Sequence, residues 1–347
     1  MDMFQDLELE EWAEQRESGK AITMIDVRSP SEFTESTIPG SLNIPLFDDQ
    51  ERAEIGTLYK QVSVDAAKQR GLEIVSAKLP DFVRKFAEIS GRKAVFCWRG
   101  GMRSRTTATL LSLMDIHTYR LAGGYRAYRQ WVVSTLENLD FAPELTVIHG
   151  NTGSGKTLLL RKLQEQGYPV IDLEGMAGHR GSVFGQIGLQ AHNQKMFDSL
   201  LLEDLLRYRE APYVLMEAES KRIGKVVVPD LLMAKKEQGR HIRIDLPTNV
   251  RVQIILEDYK PWNNPEACLQ AFRKIKSKIH TPIAAEIEQS LLAGRFDRAV
   301  ELLLIYYYDP RYAHTEGQYE DAEFTVIRSD SVDGAVMKAE RLLPKPD

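Results

Sequence analysis

The stretch Gly150-Asn151-Thr152-Gly153-Ser154-Gly155-Lys156-Thr157 satisfies the pattern G-x-x-x-x-G-K-T and constrains the fold more than any other feature of the chain. An apolar run, Leu145–His149, precedes it and predicts a strand, while the spacing over 158–166 predicts a helix. A loop in that setting belongs at the edge of a parallel α/β sheet. Its glycines let backbone N–H groups wrap phosphate oxygens. Lys156 supplies a charge to the terminal phosphates, and the Thr157 hydroxyl can hold Mg²⁺. Gly150, Gly153, Ser154, Gly155, Lys156 and Thr157 are therefore the candidate phosphate-binding residues. The loop specifies a di- or triphosphate, not ATP.

A nucleotide hydrolase with such a loop places an Asp at the end of a later apolar strand. Here Val214-Leu215-Met216-Glu217-Ala218-Glu219 stands in that place, with Glu217 or Glu219 instead of Asp, which argues against ordinary nucleotide hydrolysis. Further strands are expected at 168–173 and 213–217, and helical spacing dominates 196–209 and most of 265–305. Two segments following these strands are unusual. One runs from Asp172 to Gly185 and interleaves glycines with Glu174, His179, Arg180 and Ser182. The other runs from Glu217 to Gly224 and includes Glu219, Ser220, Lys221 and Arg222. Both would lie at the carboxyl edge of the sheet, where α/β proteins bind ligands, so these residues are candidates for contact with a substrate.

The amino-terminal part carries a second chemical motif, Val95-Phe96-Cys97-Trp98-Arg99-Gly100-Gly101-Met102-Arg103-Ser104. A strand at 94–96 should end at Cys97, a Gly-Gly loop should follow, and a helix is expected over 104–114. A helix N-terminus together with Arg99, Arg103 and Arg105 favours thiolate over thiol, making Cys97 the candidate nucleophile. Strands are also expected at 22–27, 41–45 and 118–121, and a helix over 81–89. Asp26-Val27-Arg28-Ser29-Pro30-Ser31-Glu32-Phe33, then Ile38-Pro39-Gly40-Ser41-Leu42-Asn43-Ile44-Pro45, resembles the rhodanese signature, as do Leu121–Tyr125 and Trp131. The resemblance covers about residues 10–137. It implies that Cys97 carries sulfur or selenium, and it makes Asp26 and Arg28 substrate candidates. The fold expectation is thus α/β throughout. A rhodanese-like parallel-sheet domain at 1–137 is followed by a P-loop NTPase-like α/β domain at 138–347 with a helical C-terminal part. The Pro-containing segment 138–144 marks the boundary.

Taken together, the cysteine loop, the P-loop and the two unusual segments resemble the tRNA 2-selenouridine synthase family over nearly the whole chain. The resemblance implies a two-step reaction on a tRNA bearing 2-thiouridine at the wobble position. Geranyl diphosphate would first S-geranylate the base, and selenium from selenophosphate would then replace the geranylthio group. It implies that Arg99 and Arg103 assist Cys97 by holding the phosphate of selenophosphate. Co-substrates are implied rather than a tightly bound cofactor, with an enzyme that supplies selenophosphate as a partner. Other readings stay open at the level of residues. One is a rhodanese-like sulfurtransferase or phosphatase fused to an ATP-binding kinase or NTPase domain. Another is a non-enzymatic tRNA-binding or sulfur-carrier adaptor.

Charge limits where a nucleic acid can bind. Through Asp140 there are 18 basic and 21 acidic residues, and 27 and 29 thereafter, so neither half is globally basic and any RNA surface must be a local patch. One candidate patch is Lys221, Arg222, Lys225, Lys235, Lys236, Arg240 and Arg243. Another is Arg273, Lys274, Lys276 and Lys278, and Tyr306-Tyr307-Tyr308 could stack bases. Only two cysteines, Cys97 and Cys268, are present, so no disulfide scaffold or metal-type cysteine cluster is expected. The start, Met1-Asp2-Met3-Phe4, lacks the basic and apolar character of a secretion signal, and no apolar run reaches membrane-spanning length. The expectation is a cytoplasmic protein with no membrane partner.

Overall fold

A computed structural model describes residues 4–311 and 324–345, so the expectation drawn from Met1–Met3 lies outside the described residues. The chain divides into two units. One is Met1–Leu139 with Asp198–Leu200, and the other is Asp140–Phe197 with Leu201–Asp347.

In the first unit the elements alternate: β1 (Gln5–Leu7), α1 (Leu9–Glu17), β2 (Thr23–Asp26), α2 (Pro30–Glu35), β3 (Leu42–Asn43), α3 (Asp49–Gln61), α4 (Val64–Ala87), β4 (Lys93–Phe96), α5 (Met102–Leu113), β5 (Tyr119–Leu121) and α6 (Gly124–Asn138). The strands form one sheet in the order β1-β5-β4-β2-β3, every pair parallel. Parallel neighbours need long crossovers, which the helices supply. All four residues of β4 are buried, as suits a central strand covered on both faces. Asp26 pairs with Phe96 in register, so the residues after β2 and β4 leave the sheet side by side. Ile25, Val27, Phe82, Phe86, Val95 and Leu111 form the core beneath them.

Two elements here exceed the sequence expectation. The helix expected at 81–89 is the last part of the 24-residue α4, which starts at Val64. Its buried stripe includes Ala67 and Gly71, which add little apolar signal, while Leu72 is exposed, so spacing alone does not reveal its first half. The strand expected at 41–45 shrinks to two residues.

The second unit runs β6 (Glu144–His149), α7 (Lys156–Glu165), β7 (Val170–Ile171), α8 (Leu173–Ala177), α9 (Gln194–Arg207), β8 (Tyr213–Glu217), β9 (Arg222–Ile223), β10 (Val226–Val227), α10 (Asp230–Gln238), β11 (Arg240–Asp245), α11 (Thr248–Tyr259), α12 (Pro265–Arg273), α13 (Thr281–Leu292) and α14 (Phe296–Leu303). A wide helical turn at Leu304–Tyr308 follows, then β12 (Phe324–Arg328) and α15 (Val332–Glu340). Its sheet, β12-β11-β6-β8-β7, is also wholly parallel, and β9 and β10 make a separate antiparallel hairpin. Leu159, Leu160 and Leu163 of α7 pack with Ile148, Leu215, Ile242 and Ile327 of the sheet. The strand expected at 168–173 is only Val170–Ile171, because the Asp172 side chain caps α8 by accepting from Gly175 N at 2.7 Å. Helices α12 to α14 enclose a second core around Phe272, Ile287 and Leu302. Tyr307 is buried in that core and Tyr308 packs against it, so of the three tyrosines proposed for base stacking only Tyr306 is exposed. No helix among the described residues is long and apolar enough to cross a membrane.

Candidate functional site

The cysteine loop is built where β4 ends. Cys97 is 4 % exposed, and its Sγ lies 3.2 Å from Ser104 Oγ on α5. Its carbonyl accepts from Tyr125 N at 2.9 Å, and Arg126 N donates to the Trp98 carbonyl at 2.9 Å. These bonds clamp the loop onto the turn that opens α6. That approach demands glycine: a Cβ on Gly124, at φ +61°, would stand 2.3 Å from the Cys97 carbonyl and 2.5 Å from Gly100 N. The Gly123-Gly124 turn is therefore part of the loop's architecture.

The arginines around Cys97 differ sharply. Arg99 and Arg105 are exposed. Arg103 is held by Glu32, its Nη1 and Nη2 donating to the two carboxylate oxygens at 2.5 and 3.1 Å. Burial would raise the Glu32 carboxyl, but the Arg103 guanidinium beside it holds it below its ordinary value. Arg103 is thus anchored to α2, correcting the expectation that it stands ready for a phosphate. Asp26 and Arg28 require a stronger correction. They are 0 % and 2 % exposed and paired at 2.6 Å, with Thr37 and the Ser36 carbonyl completing the network. Arg28 also lies over the Tyr125 ring at 4.4 Å. Neither can reach a tRNA, and both brace the sheet edge. Arg120 on β5 was not anticipated. It donates to the Gly100 carbonyl at 2.9 Å and is held by Asp6, while the field of Cys97 reaches its guanidinium.

The P-loop follows β6. Lys156 Nζ donates to the Gly150 carbonyl at 2.9 Å, and Thr157 Oγ1 donates to Glu174 Oε2 at 2.7 Å. Ser154 N closes the loop on the Asn151 carbonyl, and Ser154 Oγ is buried without a hydrogen-bond partner among the described residues. Gly153, at φ +76°, faces α11 so closely that a Cβ would lie 2.7 Å from the Ile255 side chain. The loop has a brace that sequence spacing did not reveal. Arg251 of α11 donates twice to the Thr152 carbonyl, at 2.8 and 3.0 Å. It also grips Asp309 at 2.7 and 3.0 Å, and Asp309 accepts from Asn151 Nδ2 at 3.0 Å. Arg251 lies 99 residues from Thr152 and Asp309 158 from Asn151 along the chain, so no local pattern announces them.

Carboxylates gather beside Thr157. Glu174 is raised to about 7 by burial and by Glu219. Glu217 is fully buried and raised well above its ordinary value, by burial and then by Asp172, Glu174 and Glu219. Its Oε2 accepts from Leu173 N at 3.1 Å, and its Oε1 has no hydrogen-bond partner among the described residues. Glu219 and Glu174 meet at Gly181, where a Cβ would lie 2.6 and 3.1 Å from their oxygens. The structure therefore brings Glu174, Glu217 and Glu219 together next to the P-loop.

It assigns other candidates to fastening. Arg180 bonds Asp258 at 2.6 Å, the Ile187 carbonyl at 2.9 Å, and lies over Tyr259 at 4.4 Å. Ser182 Oγ lies 3.1 Å from Tyr259 Oη. Both pin their loop to α11 instead of presenting to a ligand. His179 accepts from Gly181 N and packs on Gly224, and burial lowers its imidazole. Ser220 closes its own turn on the Arg222 carbonyl, Lys221 pairs with Asp230, and Arg222 is exposed on β9.

The basic runs are largely consumed as well. Lys236 is 4 % exposed and donates to the Glu219 carbonyl. Lys235 donates to the Ala142 and Pro143 carbonyls, and Arg240 to the Leu342 carbonyl. Arg273 and Lys276 share Glu288. Arg222 and Lys225 of the first run and Lys274 and Lys278 of the second stay exposed, without an ion pair among the described residues.

The folds and loops together define a two-unit α/β protein, a rhodanese-type cysteine loop joined to a P-loop. Comparison with known proteins agrees. A model of the rhodanese-like domain matches residues 8–130, and one described as the tRNA 2-selenouridine synthase AAA domain matches 143–285. A tRNA 2-selenouridine synthase of Bdellovibrio bacteriovorus is 33% identical, over 88% of this chain and 91% of its own. That of Nitrosomonas europaea is 35% identical, over 74% and 69%. The chain belongs to the tRNA 2-selenouridine synthase family.

Proposed function

We propose that this protein is a transferase that replaces the 2-sulfur of a tRNA wobble uridine with selenium in two steps. In the first, the P-loop holds geranyl diphosphate. The uridine sulfur attacks the geranyl carbon, the carbon–oxygen bond breaks, and pyrophosphate leaves against Lys156 and the loop amides. The base is itself the nucleophile, so no carboxylate is needed to orient a water. This fits Glu217, whose carboxyl is buried against Leu173 N. In the second step, selenophosphate is held at the Cys97 loop and its selenium attacks C2 of the uridine. The carbon–sulfur bond breaks and geranylthiolate leaves, taking a proton from the Cys97 thiol; water then cleaves the phosphorus–selenium bond, releasing phosphate and 2-selenouridine. Arg99 is the exposed cation beside Cys97 suited to the phosphate of selenophosphate.

The Thr157 hydroxyl with the Glu174 carboxylate 2.7 Å away fits a hard cation such as Mg²⁺. Mg²⁺ held there would neutralise charge on the diphosphate.

The observation that carries this reading is a Cys97 loop and an Asp-less P-loop in one chain of this family. Its test is incubation with 2-thiouridine tRNA, geranyl diphosphate and selenophosphate, followed by nucleoside mass spectrometry. Cys97→Ala should accumulate the S-geranylated nucleoside, and Lys156→Ala should leave 2-thiouridine unchanged. Loss of both products in Cys97→Ala would break the division of labour.

A further inference from the structure

Cys97 is almost fully buried, so a tRNA uridine can meet the selenium donor only at the surface of the cysteine loop. That surface is a composite. The Arg126 N to Trp98 carbonyl bond sets Arg126 beside Arg99, and Arg105 lies in the first turn of α5, its N bonded to the Gly101 carbonyl at 3.0 Å. Arg99, Arg105 and Arg126 are all exposed, and none makes an ion pair among the described residues. Their neighbours contrast with them: Arg103 is held by Glu32, Arg120 by Asp6, and Arg28 by Asp26. An arginine already paired with a carboxylate must give up that contact to neutralise a phosphate, whereas an unpaired one need not. In the runs at 221–243 and 273–278, Lys221, Lys235, Lys236, Arg240, Arg273 and Lys276 are engaged with carboxylates and carbonyls of their own unit; Arg222, Lys225, Lys274 and Lys278 stay exposed but do not lie on the cysteine loop.

We propose that Arg99, Arg105 and Arg126 form the seat that grips the tRNA phosphate backbone while its uridine is presented at Cys97. This rests on the reading of tRNA as the substrate, and it places the RNA's electrostatic anchor on the rhodanese-like unit. RNA is favoured over an acidic protein because the group that accepts selenium must itself come to this loop.

The test centres on Arg105→Ala/Arg126→Ala in the full chain, since Arg99 also serves the selenophosphate step. Affinity for 2-thiouridine tRNA is measured across a salt series by fluorescence anisotropy, beside turnover. Each lost phosphate contact lowers the slope of log K against log salt by about 0.7–0.9, so the double variant should lose about 1.5. Its KM for tRNA should rise while kcat at saturating tRNA is kept. Arg105→Lys/Arg126→Lys should restore the slope, separating lost charge from lost structure. An unchanged slope and KM in the double variant, where wild-type protein does bind tRNA, overturns the seat and leaves the substrate reading intact. Failure of wild-type protein to bind or modify tRNA overturns both. A variant that handles tRNA normally, but slows only when selenophosphate is supplied by its synthesising enzyme, overturns the RNA seat in favour of a protein dock.

Discussion

His149 shows how a single residue ties the P-loop to pH. Burial, reinforced by His241 and nearby cations, pulls its imidazole from 6.5 to about 3. The unfolded chain takes up a proton there below pH 6.5, and the folded chain does not until about 3. The stability contributed by the neutral ring is therefore fully present above pH 6.5 and is lost as pH falls through that window. The slope approaches about 1.4 kcal/mol per pH unit. Glu174 and Glu217 act in the opposite sense, because their raised values let the folded chain bind protons first. Comparison with a variant isolates the histidine: His149→Asn should lose less stability than wild type between pH 7.5 and 5.5 in urea unfolding. Equal losses would show that the ring is not kept neutral. At this scale Cys97 and Lys156 were legible because loop chemistry is written in consecutive residues. The duties of Arg103, Asp26 and Arg28 were not, because Glu32 and Thr37 reach them only through the fold.

Helix α11 carries the element-scale consequence. It supplies Arg251 to the Thr152 carbonyl and Ile255 to the face of Gly153, so the P-loop is pressed and braced from one side. Arg251 is 5 % exposed while Asp309 is partly exposed, which places the pair between buried and surface cases. Arg251→Ala should cost about 2–3 kcal/mol in urea unfolding, below the full figure for a buried pair. It should also weaken geranyl diphosphate binding by calorimetry more than tRNA binding. Gly153→Ala should do the same through its φ of +76° and the Ile255 contact. Unaltered diphosphate affinity in both variants would show that the brace serves stability alone. Among the elements, β11 and β12 escaped sequence reading. Strand β11 mixes Arg240, His241 and Arg243 with Ile242 and Ile244, so of its three buried residues only two, Ile242 and Ile244, give an apolar signal.

For the whole molecule, two chemistries on two units predict complementation. Cys97→Ala retains the P-loop and Lys156→Ala retains the cysteine loop. Mixing the two should restore 2-selenouridine, with S-geranylated tRNA passing through solution at a concentration-dependent rate. No restoration would mean that the intermediate is never released. The sequence by itself determined the two loops, their parallel α/β settings and the family, because nucleophile, phosphate cradle and glycine turns must be contiguous to work. Only the tertiary structure decided which charges are available. Arg103 pairs with Glu32 71 positions away and Arg180 with Asp258 78 positions away, while Lys221 takes Asp230 and Lys236 the Glu219 carbonyl, so these cations are committed to partners within the fold. Arg99, Arg105 and Arg126 are left facing solvent around the cysteine loop.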